Sequence, residues 1–179
     1  MVMTTGNEVI LVNDKDEVQG YMEKMEAHEK GLLHRAFSVF IFNGKGEMLL
    51  QRRALNKYHS GGLWTNACCS HPGKEENIEE AAKRRLKEEM GFDTSLTKIF
   101  DFVYKAEFEN GLTENEFDHV FVGEFEGEVN YDKKEVMDYC YKNMNDIQES
   151  LQQQHGQFTA WFKIAFPQVY NWWKHNYQQ

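Results

Sequence analysis

The stretch Arg84-Arg85-Leu86-Lys87-Glu88-Glu89-Met90-Gly91-Phe92 ends a run of strong helix formers that begins at residue 75. We predict a helix over residues 75–90, closed by Gly91, because glycine readily adopts the left-handed conformation that terminates helices. Basic and acidic residues are concentrated together on this helix. Such a face is by default solvated and held together by ion pairs. A functional interpretation therefore requires a second charged cluster elsewhere in the chain.

Two predicted hairpins lie on either side of this helix. Their strands are, in chain order, residues 37–41 with 47–53 and residues 100–108 with 112–125. The turns Asn43-Gly44-Lys45-Gly46 and Asn110-Gly111 are typical of tight connections between antiparallel strands. Helices combined with hairpins predict an α/β fold of the α+β kind, in which helices flank a largely antiparallel or mixed sheet.

The remaining segments fit the same fold class. We predict a strand over residues 8–12, a helix over 21–30, an extended segment over 63–69, and helices from residue 145 onward with a break at Gly156. Thr159 is predicted to cap the last helix and Pro167 to kink it.

Composition limits the classes of function. The chain has 179 residues, a net charge of -9 and three cysteines. Because domains are typically about 100–200 residues long, a single domain over residues 1–179 is expected. The acidic balance argues against nucleic acid or a membrane as partner, and no segment approaches the ~20 apolar residues that cross a bilayer. Few cysteines and no secretory layout over residues 1–11 predict a cytoplasmic protein. We expect a monomer, with a homodimer as the alternative.

A second basic cluster, Arg52, Arg53 and Lys57, follows a predicted strand. Two such clusters in an acidic protein can clamp a phosphate group through charge-assisted hydrogen bonds. Glu88 or Glu89 would then hold Mg²⁺ against that phosphate, because hard cations prefer oxygen ligands.

The stretch at residues 84–92 resembles the core of a Nudix box, Arg-Glu-aliphatic-x-Glu-Glu-x-Gly-aliphatic. Its second position, a metal-binding glutamate in Nudix hydrolases, is Arg85 here, and the leading glycine of the box falls on Ser70. A hydrolase without this glutamate should cleave its substrate poorly.

Four further motifs resemble those of type I isopentenyl-diphosphate isomerases. They are Thr65-Asn66-Ala67-Cys68-Cys69-Ser70-His71-Pro72, Arg52-Arg53-Ala54-Leu55-Asn56-Lys57, Glu114-Asn115-Glu116 and Glu135-Val136-Met137-Asp138-Tyr139. Their order around the altered box carries the resemblance, which spans most of the chain. It implies a Nudix-type mixed sheet flanked by helices, with an elaborated N-terminal segment. It also implies an enzyme that converts isopentenyl diphosphate to dimethylallyl diphosphate.

The resemblance implies a metal site made of three imidazoles and two carboxylates. The matching residues are His28, His34, His71, Glu114 and Glu116. Glu114 and Glu116 are two positions apart, so they share a face if they lie on a strand. Nitrogen and oxygen ligands suit Mn²⁺, Mg²⁺ or Zn²⁺ alike. The segment between His28 and His34 is one residue shorter than in the family pattern.

Catalytic and substrate-binding roles are implied in the same way. Glu116 with Tyr104 matches the proton donor, and Cys69 matches the base on the other face of the alkene. Trp161 matches a tryptophan whose aromatic face stabilises a carbocation. The residues that match diphosphate ligands are Lys24, Arg53, Lys57 and Arg85, and Glu89 matches a ligand of the accompanying Mg²⁺.

Strand geometry distinguishes the two adjacent cysteines. Successive side chains of a strand point to opposite faces, so Cys69 should share a face with His71 while Cys68 points into the core. Of the two, Cys69 is therefore placed for the role of base that the resemblance implies.

Two other classes of protein remain open. One is a Nudix pyrophosphohydrolase acting on nucleotide diphosphates, which the box supports and Arg85 opposes. The other is a non-catalytic phosphate-binding module with a structural metal. Four histidines receive no role and are interpreted as structural or exposed: His59, His119, His155 and His175.

Overall fold

A computed structural model describes residues 7–178 of the chain. The strands are β1 (Glu8–Val12), β2 (Val18–Glu23), β3 (His34–Phe42), β4 (Met48–Arg53), β5 (Trp64–Thr65), β6 (Cys68–Ser70), β7 (Leu96–Glu107), β8 (Thr113–Glu124) and β9 (Val136–Lys142). The helices are α1 (Lys24–Lys30), α2 (Ile78–Met90), α3 (Met144–Gln153) and α4 (Ala160–Tyr177), with a 3-10 turn at His155–Gln157. Residues 1–6, which belong to the segment inspected for a secretory layout, lie outside the described part.

One mixed sheet contains the nine strands. β3 connects its parts, because it pairs in parallel with β8 and antiparallel with β1, β4 and β6. β7 and β8 form the predicted hairpin, and β4 also pairs with β5 and β9. A mixed sheet with helices confirms the predicted fold class.

The side chains of β3 alternate between two layers of the core, as strand geometry requires. Phe37, Val39 and Ile41 pack with residues of α2, whereas Phe40 and Phe42 pack with residues of α3 and α4. The sheet is therefore covered on both faces. The residues at the start of β3 and in the first half of β8 are left to form a site.

Two helix starts differ from the sequence prediction. Residues 21–23 belong to β2, and the Glu23 carboxylate caps α1 by accepting a hydrogen bond from the Glu26 N–H. α2 starts only at Ile78, because the side chain of Asn77 accepts hydrogen bonds from the first N–H groups of the helix. Capping side chains set both boundaries.

The C-terminal part differs from the sequence prediction at Thr159 and at β9. Thr159 precedes α4, but its hydroxyl donates to Thr65 and makes no capping bond. α4 continues as one helix through Pro167. β9 was not predicted as a strand. Within residues 7–178, no helix has both the length and the apolar character needed to cross a bilayer.

Candidate active site

One cavity brings together most of the residues predicted for the site. It is lined by Lys24, Arg53, Lys57, Tyr58, His59, Cys69, Ser70, His71, Arg85, Glu89, Tyr104, Glu114, Glu116 and Trp161. The two remaining predicted residues, His28 and His34, are fully buried next to it. Their ring centroids lie 5.7 and 4.9 Å from that of His71.

Three imidazoles and a carboxylate meet where β3, β6 and β8 come together. The parallel register of β3 and β8 places His34 beside Glu116, and β6 ends immediately before His71. The Nε2 atom of His71 lies 2.9 Å from Oε1 of Glu116 and 3.2 Å from Nε2 of His34. With His28 from α1, each residue offers one ligand atom within 4.8 Å of all the others. This donor set could hold a divalent metal ion.

Backbone carbonyls orient two of these imidazoles. The Nδ1 atom of His28 lies 2.6 Å from the carbonyl oxygen of Lys24, and that of His34 lies 2.8 Å from the carbonyl oxygen of Leu32. Because a carbonyl only accepts, both Nδ1 atoms carry a proton, and Nε2 is the lone-pair nitrogen of the neutral ring. In residues 7–178, the buried Nε2 of His28 has no hydrogen-bond partner. An imidazole held this way fits a metal ligand.

The shorter segment between His28 and His34 does not separate them. Gly31 closes α1 at a φ of 62°, a left-handed conformation that glycine adopts without strain. The chain then enters β3 within a few residues, and the two ring centroids are 4.9 Å apart. The structure thus keeps His28 in the cluster.

Burial and mutual contacts shift the ionisation of the cluster. Burial lowers the pKa of His28 to about 4 and that of His71 to about 3, so both rings are neutral near neutral pH. Burial also disfavours charge on His34 and Glu116, but hydrogen bonding and charge attraction outweigh it. They raise the pKa of His34 and hold that of Glu116 well below its usual range. The neutral rings of His28 and His71 and the ionised Glu116 are the forms that bind metal ions, whereas a metal ion at His34 would compete with the proton that its raised pKa favours.

Glu114 is contacted on both carboxylate oxygens. The Tyr104 hydroxyl on β7 lies 2.8 Å from Oε2 of Glu114 and 2.7 Å from Oε2 of Glu116, so the two carboxylates share its single proton. Oε1 of Glu114 lies 2.7 Å from Nε2 of His59. Burial, reinforced by the charge of Glu116, raises the pKa of Glu114, and burial raises that of Tyr104. The phenol therefore holds its proton near neutral pH.

His59 lines the cavity and is buried, so its interpretation as an exposed residue was wrong, while its interpretation as a structural residue stays a prediction. Its side chain is buried, and it forms a second group of potential metal ligands with His28 and Glu114. The other three unassigned histidines do not line the cavity. His28 thus belongs to both groups of ligand atoms.

The adjacent cysteines lie on opposite faces of β6. Cys68 is fully buried in the core layer that contains α2, whereas Cys69 lines the cavity with His71. This confirms the predicted alternation of side chains.

A short polar network surrounds the Cys69 thiol. Its Sγ donates to Oδ1 of Asn66 at 3.2 Å and lies 3.4 Å from the Ser38 hydroxyl, which donates to the buried Asp118 at 2.7 Å. Burial, reinforced by the charge of Asp118, raises the pKa of Cys69. The side chain is therefore a neutral thiol near neutral pH.

Two cations at the cavity lack an anion in the described structure. The Nζ of Lys24 lies 4.5 Å from the centre of the Tyr58 ring, and the Arg53 guanidinium lies 5.2 Å from that of Trp161. Among the described residues, the buried Nε of Arg53 and that of Arg85 have no hydrogen-bond partner. Burial, reinforced by Lys57, lowers the pKa of Lys24 to about 8. Crowded cations with unused donors favour a bound anion.

The residue that replaces the box glutamate is surrounded by carboxylates. Arg85 donates to Glu88 at 2.5 Å and to Glu89 at 2.8 Å. Glu89 also accepts from Gln51 at 3.1 Å and lies outside both groups of potential metal ligands. A salt bridge likewise joins Lys57 to Glu135. Arg85 therefore places a positive charge where the box pattern has a negative one.

Sequence reasoning missed three buried residues of the site: His59, Ser38 and Asp118. Ser38 and Asp118 lie on the parallel strands β3 and β8, and no local pattern predicts that pairing. His59 lies in the loop after β4, two residues beyond Lys57. Its proximity in the sequence to this predicted diphosphate ligand could have indicated that it belongs to the site.

The fold and site define a class of protein. The NUDIX domain family model matches residues 32–162. The structure is similar to DR0079 from Deinococcus radiodurans, with a TM-score of 0.77 and 16% identity over 92% of this chain and 99% of that one. It is also similar to a MutT protein from Methanosarcina mazei Go1, with a TM-score of 0.63 and 20% identity over 82% and 96% of the two chains. The chain belongs to the Nudix family.

Relatives of higher sequence identity assign the chain to one group within the Nudix family. The chain is 46% identical over 167 residues to the isopentenyl-diphosphate Delta-isomerase of Pectobacterium atrosepticum, covering 93% of each chain. It is 46% identical over 169 residues to that of Burkholderia multivorans, covering 92% of this chain and 96% of the relative. Within the Nudix family, the chain therefore belongs to the isopentenyl-diphosphate Delta-isomerases.

Proposed function

We propose that the chain isomerises isopentenyl diphosphate to dimethylallyl diphosphate in isoprenoid biosynthesis. One observation carries the proposal: a single cavity contains the Cys69 thiol, the Tyr104–Glu116 pair and arginines whose Nε atoms have no hydrogen-bond partner among residues 7–178. The cations would hold the diphosphate, which leaves the alkene among groups that can give and take protons. The name of the relatives, isopentenyl-diphosphate Delta-isomerase, supports this substrate.

The reaction adds a proton to the terminal carbon of the alkene and removes one from the methylene on the other side. An unactivated alkene is a weak base, and its protonation produces a tertiary carbocation that water would capture. A buried site excludes water. Trp161 is 2% exposed and presents an indole to the cavity. Such a face can stabilise a desolvated cation by about 2 kcal/mol or more.

We assign proton donation to the Tyr104–Glu116 pair and proton acceptance to Cys69. The Tyr104 hydroxyl is a proton source in contact with both carboxylates. Cys69 must first lose its own proton, and the Ser38 hydroxyl connects the thiol to Asp118 for that purpose. The ionised Glu116 and neutral thiol of the free protein also favour a second candidate order, in which Cys69 donates and Glu116 accepts.

Hydrogen exchange in deuterium oxide separates the two orders. If Cys69 is the acceptor, Cys69→Ala still protonates the terminal carbon reversibly, so deuterium enters the terminal methylene of recovered isopentenyl diphosphate. Glu116→Gln then shows no such exchange. The reverse pattern between the two variants assigns donation to Cys69.

Metal ions complete the proposal. We assign one divalent ion, Mn²⁺, Mg²⁺ or Zn²⁺, to His28, His34, His71, Glu114 and Glu116. A bound cation at this place would fix the Glu116 carboxylate and tune its acidity. Lys24, Arg53, Lys57 and Arg85 would hold the diphosphate by charge-assisted hydrogen bonds, and Glu89 would help to bind its Mg²⁺.

We further propose that residues 1–179 act as a single domain and as a cytoplasmic monomer without a nucleic acid or membrane partner. A homodimer is the alternative. Light scattering coupled to gel filtration would measure the mass, and a value near 21.1 kDa is expected for the monomer. Twice that mass would establish the homodimer.

The activity is tested by proton NMR of isopentenyl diphosphate incubated with metal-loaded protein. The expected result is growth of the dimethylallyl methyl signals, together with loss of activity after chelation and recovery after metal is restored. A parallel incubation with nucleoside diphosphate derivatives and Mg²⁺ should release little phosphate. Rapid phosphate release without isomerisation would favour the hydrolase. Full activity after metal removal would show that the metal is structural.

A further inference from the structure

We propose that His59 is a positioning residue of the metal centre, which it serves by fixing the Glu114 carboxylate. The inference rests on the proposed function only in taking Glu114 as a metal ligand. His59 lies in the loop between β4 and β5, outside every motif that carried the family resemblance.

The imidazole of His59 is held firmly in its place. Its ring stacks on Phe108 with centroids 4.4 Å apart and planes inclined by 6°, and it meets Trp161 edge-on at 5.9 Å. Its Nδ1 lies 3.1 Å from the Ser60 hydroxyl. The residue is 6% exposed. Packing on several sides leaves the ring little freedom, which is what a positioning group requires.

The imidazole of His59 can reach Glu114 with an N–H. Nε2 of His59 and Oε1 of Glu114 are 2.7 Å apart, within the range of an N–H···O contact. Within residues 7–178, this nitrogen has no aligned hydrogen-bond partner, so its contact with Glu114 is established by distance alone. A hydroxyl can donate to Nδ1, so Ser60 permits the tautomer in which Nε2 carries the hydrogen. His59 then presents an N–H toward Glu114.

The two contacts on Glu114 together restrain its carboxylate. His59 approaches Oε1, and Tyr104 donates to Oε2. Both neighbours come from outside β8, which carries Glu114 itself. The ligand atoms of His59, Glu114 and His28 lie within 4.8 Å of one another, so the restrained carboxylate adjoins the imidazole cluster. Partners that orient metal ligands typically contribute about 10–100-fold to metal affinity.

Three substitutions separate positioning from packing. His59→Phe keeps the flat ring on Phe108 but removes the nitrogen. His59→Gln keeps an N–H donor of similar reach, whereas His59→Asn keeps an amide that is too short to reach Glu114. The matched control is His119→Phe, because His119 is also 6% exposed and contacts a carboxylate, with Nε2 2.9 Å from Asp16, but lies outside the cavity.

Affinity for Mn²⁺ is measured by titrating each metal-free variant and following the electron paramagnetic resonance signal of the free ion, without substrate. We expect His59→Phe and His59→Asn to bind Mn²⁺ about 10–100-fold more weakly than the unmodified chain. His59→Gln and His119→Phe should stay within about threefold of it.

Wild-type affinity in either His59→Phe or His59→Asn would overturn the proposal, and so would His59→Gln binding as weakly as His59→Phe. Because the titration uses no substrate, absent isomerisation by a chain that shows the expected Mn²⁺ pattern would count against the proposed function alone.

Discussion

Replacing each of the adjacent cysteines by alanine should produce opposite defects. Cys68 is fully buried in the α2 layer, and loss of its sulfur removes apolar contacts and leaves a small void, at about 1–2 kcal/mol of unfolding free energy. For a domain of this size, about 1 kcal/mol corresponds to roughly 2–4 °C in Tm. We therefore expect Cys68→Ala to lower Tm by roughly 2–8 °C while turnover stays near wild type.

Cys69→Ala should instead lower kcat and leave Tm nearly unchanged. Among residues 7–178, its Sγ makes weak hydrogen bonds, at 3.2 Å to Asn66 and 3.4 Å to Ser38, so Tm should change little. Loss of a proton-transferring group typically costs about 10²–10⁴-fold in rate, and we expect kcat to fall in that range or below detection. Cys140→Ala, which alters a half-buried thiol on β9 outside the cavity, is the control.

Calorimetry gives Tm for each variant, and NMR of product formation gives kcat. A low kcat in Cys68→Ala combined with near-normal turnover in Cys69→Ala would refute both the strand alternation and the assignment of Cys69. Equal defects in both variants would show that the substitutions act through the common strand β6.

Further predictions concern charge, metal and pH. Arg85→Glu should raise KM strongly or eliminate isomerisation, because it sets a negative charge against the diphosphate, and an unchanged KM would place Arg85 outside the substrate pocket. Glu116→Gln and His71→Ala should each abolish isomerisation with the fold intact by circular dichroism; near-normal turnover with unchanged metal content would refute the metal assignment. Because burial lowers the pKa of Lys24 to about 8, the free protein loses this cation above that pH, and kcat/KM should decline there. Lys24→Arg should remove the decline, since arginine stays charged; an identical decline in that variant would exclude Lys24 as its cause.

Local signals predicted the parts of the fold that depend on neighbouring residues. Asn110-Gly111 marks the hairpin between β7 and β8, and Gly91 with the charged run before it marks the end of α2. β9 was missed because its burial is partial and its polar residues disrupt alternation. The pairing of β3 with β8 joins residues about 80 positions apart in the chain, and no local preference encodes such a contact.

The candidate site likewise combines residues that local sequence patterns could place with residues that they could not. Cys69 and His71 could be placed on one side by strand geometry alone, because they lie on one short extended segment. His28, His34, Glu114 and Glu116 come from three separate elements, so only a family resemblance could group them before the structure was known. His59 reaches Glu114 from a loop, and loop conformation follows from tertiary contacts such as the stacking on Phe108.

The central claim is that this cavity moves a double bond by adding one proton and removing another. NMR of isopentenyl diphosphate incubated with metal-loaded protein in deuterium oxide tests it most directly. We expect dimethylallyl diphosphate that carries solvent deuterium in a methyl group. Product without deuterium would contradict proton addition from an exchangeable group, and an absence of dimethylallyl diphosphate would contradict the assigned activity itself.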